Sequence, residues 1–433
     1  MSPLLLSGAA IAAMFILILL HVPIGISMAI VGIVGYGIMN SFSSGLALVG
    51  AESVSNLSNL DMAVVPLFVL MGNFATASGI SGDMYNLANA FFGRRKGGLA
   101  MATVGGCGLF GAVCGSSVAT TATFGRVALP EMVKRGYAPT LATGCIAGGG
   151  TLGSLVPPSI ILVIYALIAE EFIIDLFLAA VIPAFLTIGL YFAAIALVVR
   201  LKPNAGPAGP SVSRSERMSI IGRSKLAVIL IGAIAISIYG GFFTVTEAAA
   251  LGAILSFLFA LFRRKMSWPL FWEALAGTAY TTGMIYMILI GSNIFNYFIV
   301  ITHLPDTLAT GIIESGWPTF LILLVLLTVY IILGSILDTI AAMVITLPFV
   351  LPLITAMGYS AVWWGIVNVV VIEIGMITPP MGINVFLLQG VAKIYPLSTI
   401  FRGILPFLGA DFVRLTILVI FPVLSTWLPH VLQ

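Results

Sequence analysis

The sequence predicts an all-α polytopic membrane protein built as an inverted repeat, with two re-entrant helical hairpins and two interrupted helices. Three observations lead there: the composition, a set of motifs that recurs at a fixed spacing, and basic residues present in one copy and absent from the other. Hydrophobic residues fill 60% of the 433 positions, charged residues 8%, and mean hydropathy is +1.18. A chain this apolar does not fold as an ordinary soluble domain. A helix crossing ~30 Å of hydrocarbon takes roughly 20 apolar residues, and the apolar runs suffice for about ten such spans.

The first run, PLLLSGAAIAAMFILILLH, lacks a basic flank and a cleavage-site pattern, which predicts a retained helix and not a signal peptide. Cys107, Cys114 and Cys145 lie in apolar surroundings, and His21, His303 and His430 fall at span ends. That distribution supports neither a zinc site nor a disulfide framework.

The repeat sets the domain organisation. ALPEMVKRGYAPTLATGCIAGGGTLGSLVPPS and VLPLITAMGYSAVWWGIVNVVVIEIGMITPPM align without gaps, pairing Leu129 with Leu351, Pro130 with Pro352, Gly136 with Gly358 and Tyr137 with Tyr359. Further along, Gly153 pairs with Gly375, Pro157 with Pro379 and Pro158 with Pro380, every pair 222 residues apart. Chance does not keep so many matches in one order. Arg94, Arg95, Lys96, Lys134 and Arg135 have the uncharged counterparts Gly316, Trp317, Pro318, Ala356 and Met357. Basic loops mark the cytoplasmic side, so the matching loops of the second copy lie outside, an arrangement typical of secondary transporters. Residues 1–200 form the first repeat and 225–433 the second. The Pro/Gly/Ser-rich basic stretch 201–224 reads as a cytoplasmic linker; a juxtamembrane loop explains its charge better than a nucleic-acid or calmodulin-binding role.

Lys96 and Lys134 are both cytoplasmic, with only 37 residues between them. This spacing predicts a hairpin over about 97–135 with its tip at 115–117; a pair of short complete spans is the alternative. The second copy places a hairpin over about 318–357, with its tip near 334–339, entering from the other side. Five spans and one hairpin per half then leave both termini outside.

The stretch GTLGSLVPPS at 150–159 breaks a helix inside lipid. Unpaired N–H and C=O groups there cost several kcal/mol each unless the break is buried in protein or lines a cavity. Proline removes donors, Gly148–Gly150 and Gly153 allow unusual dihedrals, and the freed carbonyls suit a hard cation. Small oxygen donors surround both breaks: Ser116, Ser117, Thr120, Thr121, Thr123, Thr151, Ser154 and Ser159 in one half, and Ser335, Asp338, Thr339, Thr378 and Asn384 in the other. Asp338, the counterpart of Ser116, costs at least ~2.5–3.5 kcal/mol at that depth unless compensated. Sodium compensates it most simply. A proton is the alternative, with no titratable group at the first half's equivalent place.

GSSVA, LPEMVKRGY, TLGSLVPPSIILVIY, TEAAALGAI, ILDTIAAMVITLPFVLPL and GMITPPMGINVFLL occur in this order over about residues 20–425. Together they resemble the large membrane subunit of tripartite ATP-independent periplasmic (TRAP) transporters. The resemblance implies a sodium-coupled elevator in the bacterial inner membrane. It also implies a small four-helix membrane subunit and a periplasmic substrate-binding protein that delivers an organic acid. By position it assigns one Na+ site to Ser116, Ser117, Thr151 and Gly153, and the other to Asp338, Thr339, Thr378 and Gly382. Substrate would lie near Ser159, Asn384 and the hairpin tips, with Thr120 and Arg126 as further candidates. Thr120 stands where the family usually has an acidic residue, and Gly148–Gly150 replace a serine-rich lead.

Arg126 lies about ten residues past the tip, roughly 14 Å along a helix. There it snorkels to lipid headgroups, pairs with Glu131 or meets a substrate carboxylate. Glu247 and Glu373 read as intramembrane carboxylates able to hold structural hydrogen bonds, and Asp411 with Arg414 as a helix-face ion pair. No phosphate-binding loop is present, so ATP does not drive this chain. An intramembrane enzyme finds no histidine beside a buried serine and no aspartate dyad. A stand-alone sodium–carboxylate symporter differs from the tripartite reading only through the family motifs.

Overall fold

Every regular element is helical in the computed structural model, which describes residues 3–209, 214–314 and 316–432. Residues 210–213 of the expected linker lie outside the described residues. Among the described residues, seven helices are long and apolar enough to cross a membrane, or up to nine if each bent pair counts as one span. The seven include both arms of the second expected hairpin, Thr319–Ile336 and Thr339–Ala356, while Pro3–Leu19, Ile24–Met39 and Ala361–Ile377 fall short of full length. The longest, Trp268–Ile301, has 34 residues, about 50 Å of helix, and must tilt or protrude from the bilayer.

Two groups of helices pack internally. In one, Trp268–Ile301 lies along Ile24–Met39, and Val64–Ser78 along Val245–Phe262. Gly25 and Gly291 let the first pair touch backbone to backbone, the small-residue contact that membrane helices favour because lipid supplies no hydrophobic drive for association. In the other group, Gly98–Cys114 and Ser117–Lys134 form a helical hairpin against Pro139–Leu155. Thr319–Ile336 and Thr339–Ala356 pack likewise on Ala361–Ile377. Each of these last two partners stops at a proline pair and is followed by a short helix, Ile160–Ala169 or Ile383–Ala392. The first pair bends by 42° at its break.

The glycines ahead of the first break work differently from expectation. Gly148, Gly149, Gly150 and Gly153 lie inside regular helix and none has a positive φ. They make room instead. A Cβ on Gly150 would collide with the Thr121 hydroxyl, and one on Gly111 would come within 2.9 Å of Gly153 Cα. The second half repeats the device, since a Cβ on Gly375 would lie 2.7 Å from Gly334 Cα. Left-handed backbone is confined to ends and turns, as at Gly136 and Gly358. There the N–H groups of Gly136 and Tyr137 reach back to Val133 and Met132, and those of Gly358 and Tyr359 to Thr355 and Ile354. The same cap closes both second arms, which is why Gly-Tyr recurs.

The start of the linker is ordered against the base of the first hairpin. Gly97 N–H donates to Gly206 O at 2.9 Å, Ala138 N–H to Ala205 O at 2.9 Å, and Tyr137 Oη to Pro207 O at 3.0 Å. Its later part forms the helix Arg214–Arg223.

Asp411 and Arg414 do pair, at 2.9 Å, but deep in the fold and not on an open helix face. Tyr191 Oη lies 2.8 Å from both Asp411 oxygens and 3.1 Å from Thr151 Oγ1, while Arg414 Nη1 donates to Thr187 Oγ1 at 2.9 Å. Removing one member of a buried pair costs about 3–5 kcal/mol, because the other charge is stranded. Arg414→Met should therefore markedly lower the unfolding temperature in detergent, and Arg414→Met with Asp411→Leu should recover much of the loss; no recovery would show that the pair is not the cause. Gly375→Val should cost about 1–3 kcal/mol by overpacking in the same assay. Gly189→Ala, where nothing lies within 4 Å, should not destabilise, and equal losses at 189 and 375 would refute the close-packing role.

Candidate functional site

The hairpin tips carry the site, and their local sequences explain their shape. Gly115 takes a left-handed conformation (φ 64°) that turns the chain. Ser116 then caps the second arm through its Oγ, which accepts Ala119 N–H at 3.4 Å. At the counterpart position Asp338 caps the other second arm, its Oδ1 accepting Ala341 N–H at 3.1 Å. A carboxylate at a helix N-terminus also meets the positive end of the macrodipole. Part of the compensation that Asp338 needs thus comes from its own helix.

Each break is tied to the tip of its own hairpin. Ile160 N–H donates to Gly115 O at 3.4 Å, and Gly382 N–H to Ser335 O at 3.2 Å; positions 160 and 382 are repeat counterparts. Ser117 N–H donates to Ser154 Oγ at 3.1 Å, fixing the first tip to its broken helix a second time. In the other half Thr339 Oγ1 donates to Glu373 Oε1 at 2.9 Å. The hydroxyls of Ser117 and Thr339 both contact the sulfur of Met376, so the two tips meet over one side chain.

Both tips open on a single cavity of about 420 Å³. Ser116, Ser117, Asp338 and Thr339 line it together with Asn73, Thr281 and Met376. Asp338 is its one charged side chain among the described residues. Four of the eight expected sodium residues are therefore brought together here. The other four stand behind the lining. Thr151 directs its hydroxyl to Gly148 O and Tyr191 Oη. Gly153 packs against Ser116 O and the Thr120 hydroxyl. Thr378 Oγ1 donates to Ile374 O at 2.6 Å. Gly382 (φ 59°) supplies the N–H that reaches the second tip.

The expected substrate residues are more scattered. Thr120 is buried and donates to Ser116 O at 2.8 Å, which braces the tip from behind. Ser159 is buried and donates to Ser154 O at 2.5 Å. Asn384 is fully buried, and neither its amide nitrogen nor its oxygen has a partner. Arg126 is exposed and lines a separate cleft of about 560 Å³ beside Lys134 and Lys393. Its expected partner Glu131 is held by Arg135 at 2.8 Å. Glu247 holds the structural hydrogen bond expected of it: its Oε2 accepts Thr244 N–H at 2.8 Å in a capping box at the start of Val245–Phe262, with the residue exposed.

Sequence reasoning missed Asn73, Thr281 and Met376 as lining residues, whereas Glu373, read as able to hold a structural hydrogen bond, does so with Thr339 at the second tip. Glu373 is 1% exposed, and its Oε2 has no partner. A signal existed for Met376, the repeat counterpart of Ser154, as Glu373 is that of Thr151.

Comparison with known proteins places the chain in a family. The C4-dicarboxylate TRAP transporter large permease protein DctM of Pseudomonas aeruginosa is 35% identical over 370 residues, covering 85% of this chain and 86% of its own. The protein of the same name from Vibrio cholerae is 32% identical, covering 98% of both. Among solved structures, the Alcanivorax borkumensis YdaH transporter shares the fold, with a TM-score of 0.58, 16% identity and 89% of each chain covered. Residues 11–424 match the tripartite ATP-independent periplasmic transporter DctM component. The chain belongs to that family, as a multi-pass transport protein of the large-permease kind.

Proposed function

We propose that this chain imports a small organic acid across the bacterial inner membrane with sodium, in a tripartite system containing a small four-helix membrane subunit and a periplasmic substrate-binding protein. The observation that carries the proposal is the meeting of the two repeat-related tips, Ser116–Ser117 and Asp338–Thr339, on one cavity of about 420 Å³. Two of the relatives above are named C4-dicarboxylate permeases, which points to an acid as cargo.

Electrostatics supply the coupling. A lone carboxylate in the cavity repels an organic anion by about 3 kcal/mol at ~5 Å and an effective dielectric of ~20. One sodium held by Asp338 and the neighbouring hydroxyls cancels that repulsion and a second reverses its sign, and the acid then binds beside them. The N-termini of Ser117–Lys134 and Thr339–Ala356 add partial positive charge from both sides. Two sodium ions with a monoanion carry one net charge inward, worth ~2.3 kcal/mol per 100 mV, roughly fifty-fold accumulation before the sodium gradient adds its share. Hairpins and broken helices, stitched into one unit, travel together against the remaining helices in an elevator motion. In this reading both hairpins are re-entrant, enter from opposite sides and bring their tips to this one cavity.

Sodium binding is testable without knowing the acid, because a ligand of the folded state stabilises it by RT ln(1 + [L]/Kd). Sodium chloride should raise the unfolding temperature of the purified protein above that in equimolar potassium chloride. Asp338→Asn keeps an N-cap and removes the charge, so it should abolish most of that difference; an unchanged sodium shift would refute the charge role. In proteoliposomes with both partners, Asp338→Ala should abolish sodium-dependent uptake. Full uptake by chain and small subunit without any binding protein would favour a stand-alone symporter.

A further inference from the structure

A cleft of about 770 Å³ and the Arg126 cleft are the same place in the two repeats. Positions 125, 126, 129, 130 and 133 of the first hairpin's second arm line one, and positions 347, 348, 351, 352 and 355, each 222 residues on, line the other. The opposite wall also corresponds, the end of Ile160–Ala169 in one and the end of Ile383–Ala392 in the other. Yet the charges are opposite. Among the described residues, Glu52, Glu170 and Asp306 line the larger cleft without a Lys or Arg, His303 Nδ1 lying 3.6 Å from Asp306, and Arg126, Lys134 and Lys393 line the smaller without a carboxylate.

Topology alone does not account for this. The positive-inside rule concerns Lys and Arg, and acidic residues contribute little to orientation, so three carboxylates converging on the other cleft stand outside it. Nor does that rule need Arg126, eight residues or about 12 Å up the arm from Lys134. A cleft lined by one sign of charge focuses the field and concentrates the opposite ion.

We infer that these clefts are the two mouths of the transport path, an outer one that gathers cations and an inner one where Arg126, Lys134 and Lys393 hold the carboxylate of the departing acid. The opposed membrane sides rest on the topology proposed above; the charge asymmetry does not.

Cysteine labelling separates the two. Cys107 and Cys145 are buried, but Cys114 lines the tip cavity, so Cys114→Ala serves as background and blank. Val133→Cys and Thr355→Cys place counterpart thiols in the two clefts, outside the tip cavity. Rates with the anionic reagent methanethiosulfonate ethylsulfonate and the cationic ethyltrimethylammonium analogue, each normalised to a free thiol, read the local potential. At 133 the anionic reagent should be favoured several-fold, at 355 the cationic one. Adding Arg126→Gln and Lys393→Gln should lower the preference at 133 at least three-fold. Equal preferences at both positions, or one that survives loss of the cations, would overturn the inference. Labelling of both thiols from one membrane face would contradict the proposed topology, while the ratios still decide the charge claim. In phosphatidylcholine nanodiscs, succinate should slow labelling at 133; protection by phosphatidylglycerol but not by succinate would assign the cleft to a lipid headgroup and overturn the assignment to the acid.

Discussion

A helix cut in the middle of a membrane leaves backbone donors and acceptors that lipid cannot satisfy, and the whole site depends on how this chain meets that demand. In both halves the N–H two residues past the proline pair is given to a carbonyl at the tip of the neighbouring hairpin, Ile160 to Gly115 and Gly382 to Ser335. Each tip is therefore held by the gap it helps to close. The close approach needed for this contact explains the glycines at 111, 150, 153, 334 and 375, where a methyl group would push hairpin and broken helix apart.

Within that shared frame the halves have diverged in chemistry. At one tip the capping group is a serine hydroxyl and at the other a carboxylate. Behind the tips, Thr151 joins a buried network with Tyr191 and Asp411, whereas its counterpart Glu373 holds Thr339. Ser154 binds the first tip by a hydrogen bond, and its counterpart Met376 contacts both tips through sulfur. The result is a symmetric scaffold around an asymmetric cavity with a single charge, which suits a site that takes a cation and an anion together.

How much of this was legible in the sequence varies with the physics involved. The repeat, the helical turns at Gly115–Ser116 and Leu337–Asp338 and the two breaks follow from Leu-Pro, Gly-Tyr and Pro-Pro at a constant spacing, because backbone conformation is written locally. The role of Gly148–Gly150 was not legible: a glycine needed for packing looks the same in sequence as one needed for its dihedral freedom. Thr151 and Arg126 carry the right chemistry at plausible positions, but the direction a side chain faces depends on neighbours such as Tyr191 and Lys393 that are distant in the chain. Asn73 and Thr281 lie outside the aligned repeat and are brought to the cavity only by tertiary packing. The start of the linker looked like a polar spacer, yet its carbonyls serve the N–H groups of Gly97 and Ala138.

The central claim is that the stitched tips present their oxygens to a cation shared by the transport cycle. Electron cryomicroscopy of the protein in sodium chloride and in choline chloride tests it most directly. The account predicts discrete density among the oxygens of Ser116, Ser117, Asp338 and Thr339 in sodium alone, with both proline-pair breaks intact. Featureless tips in both salts, or helices running unbroken through 157–158 and 379–380, would contradict it.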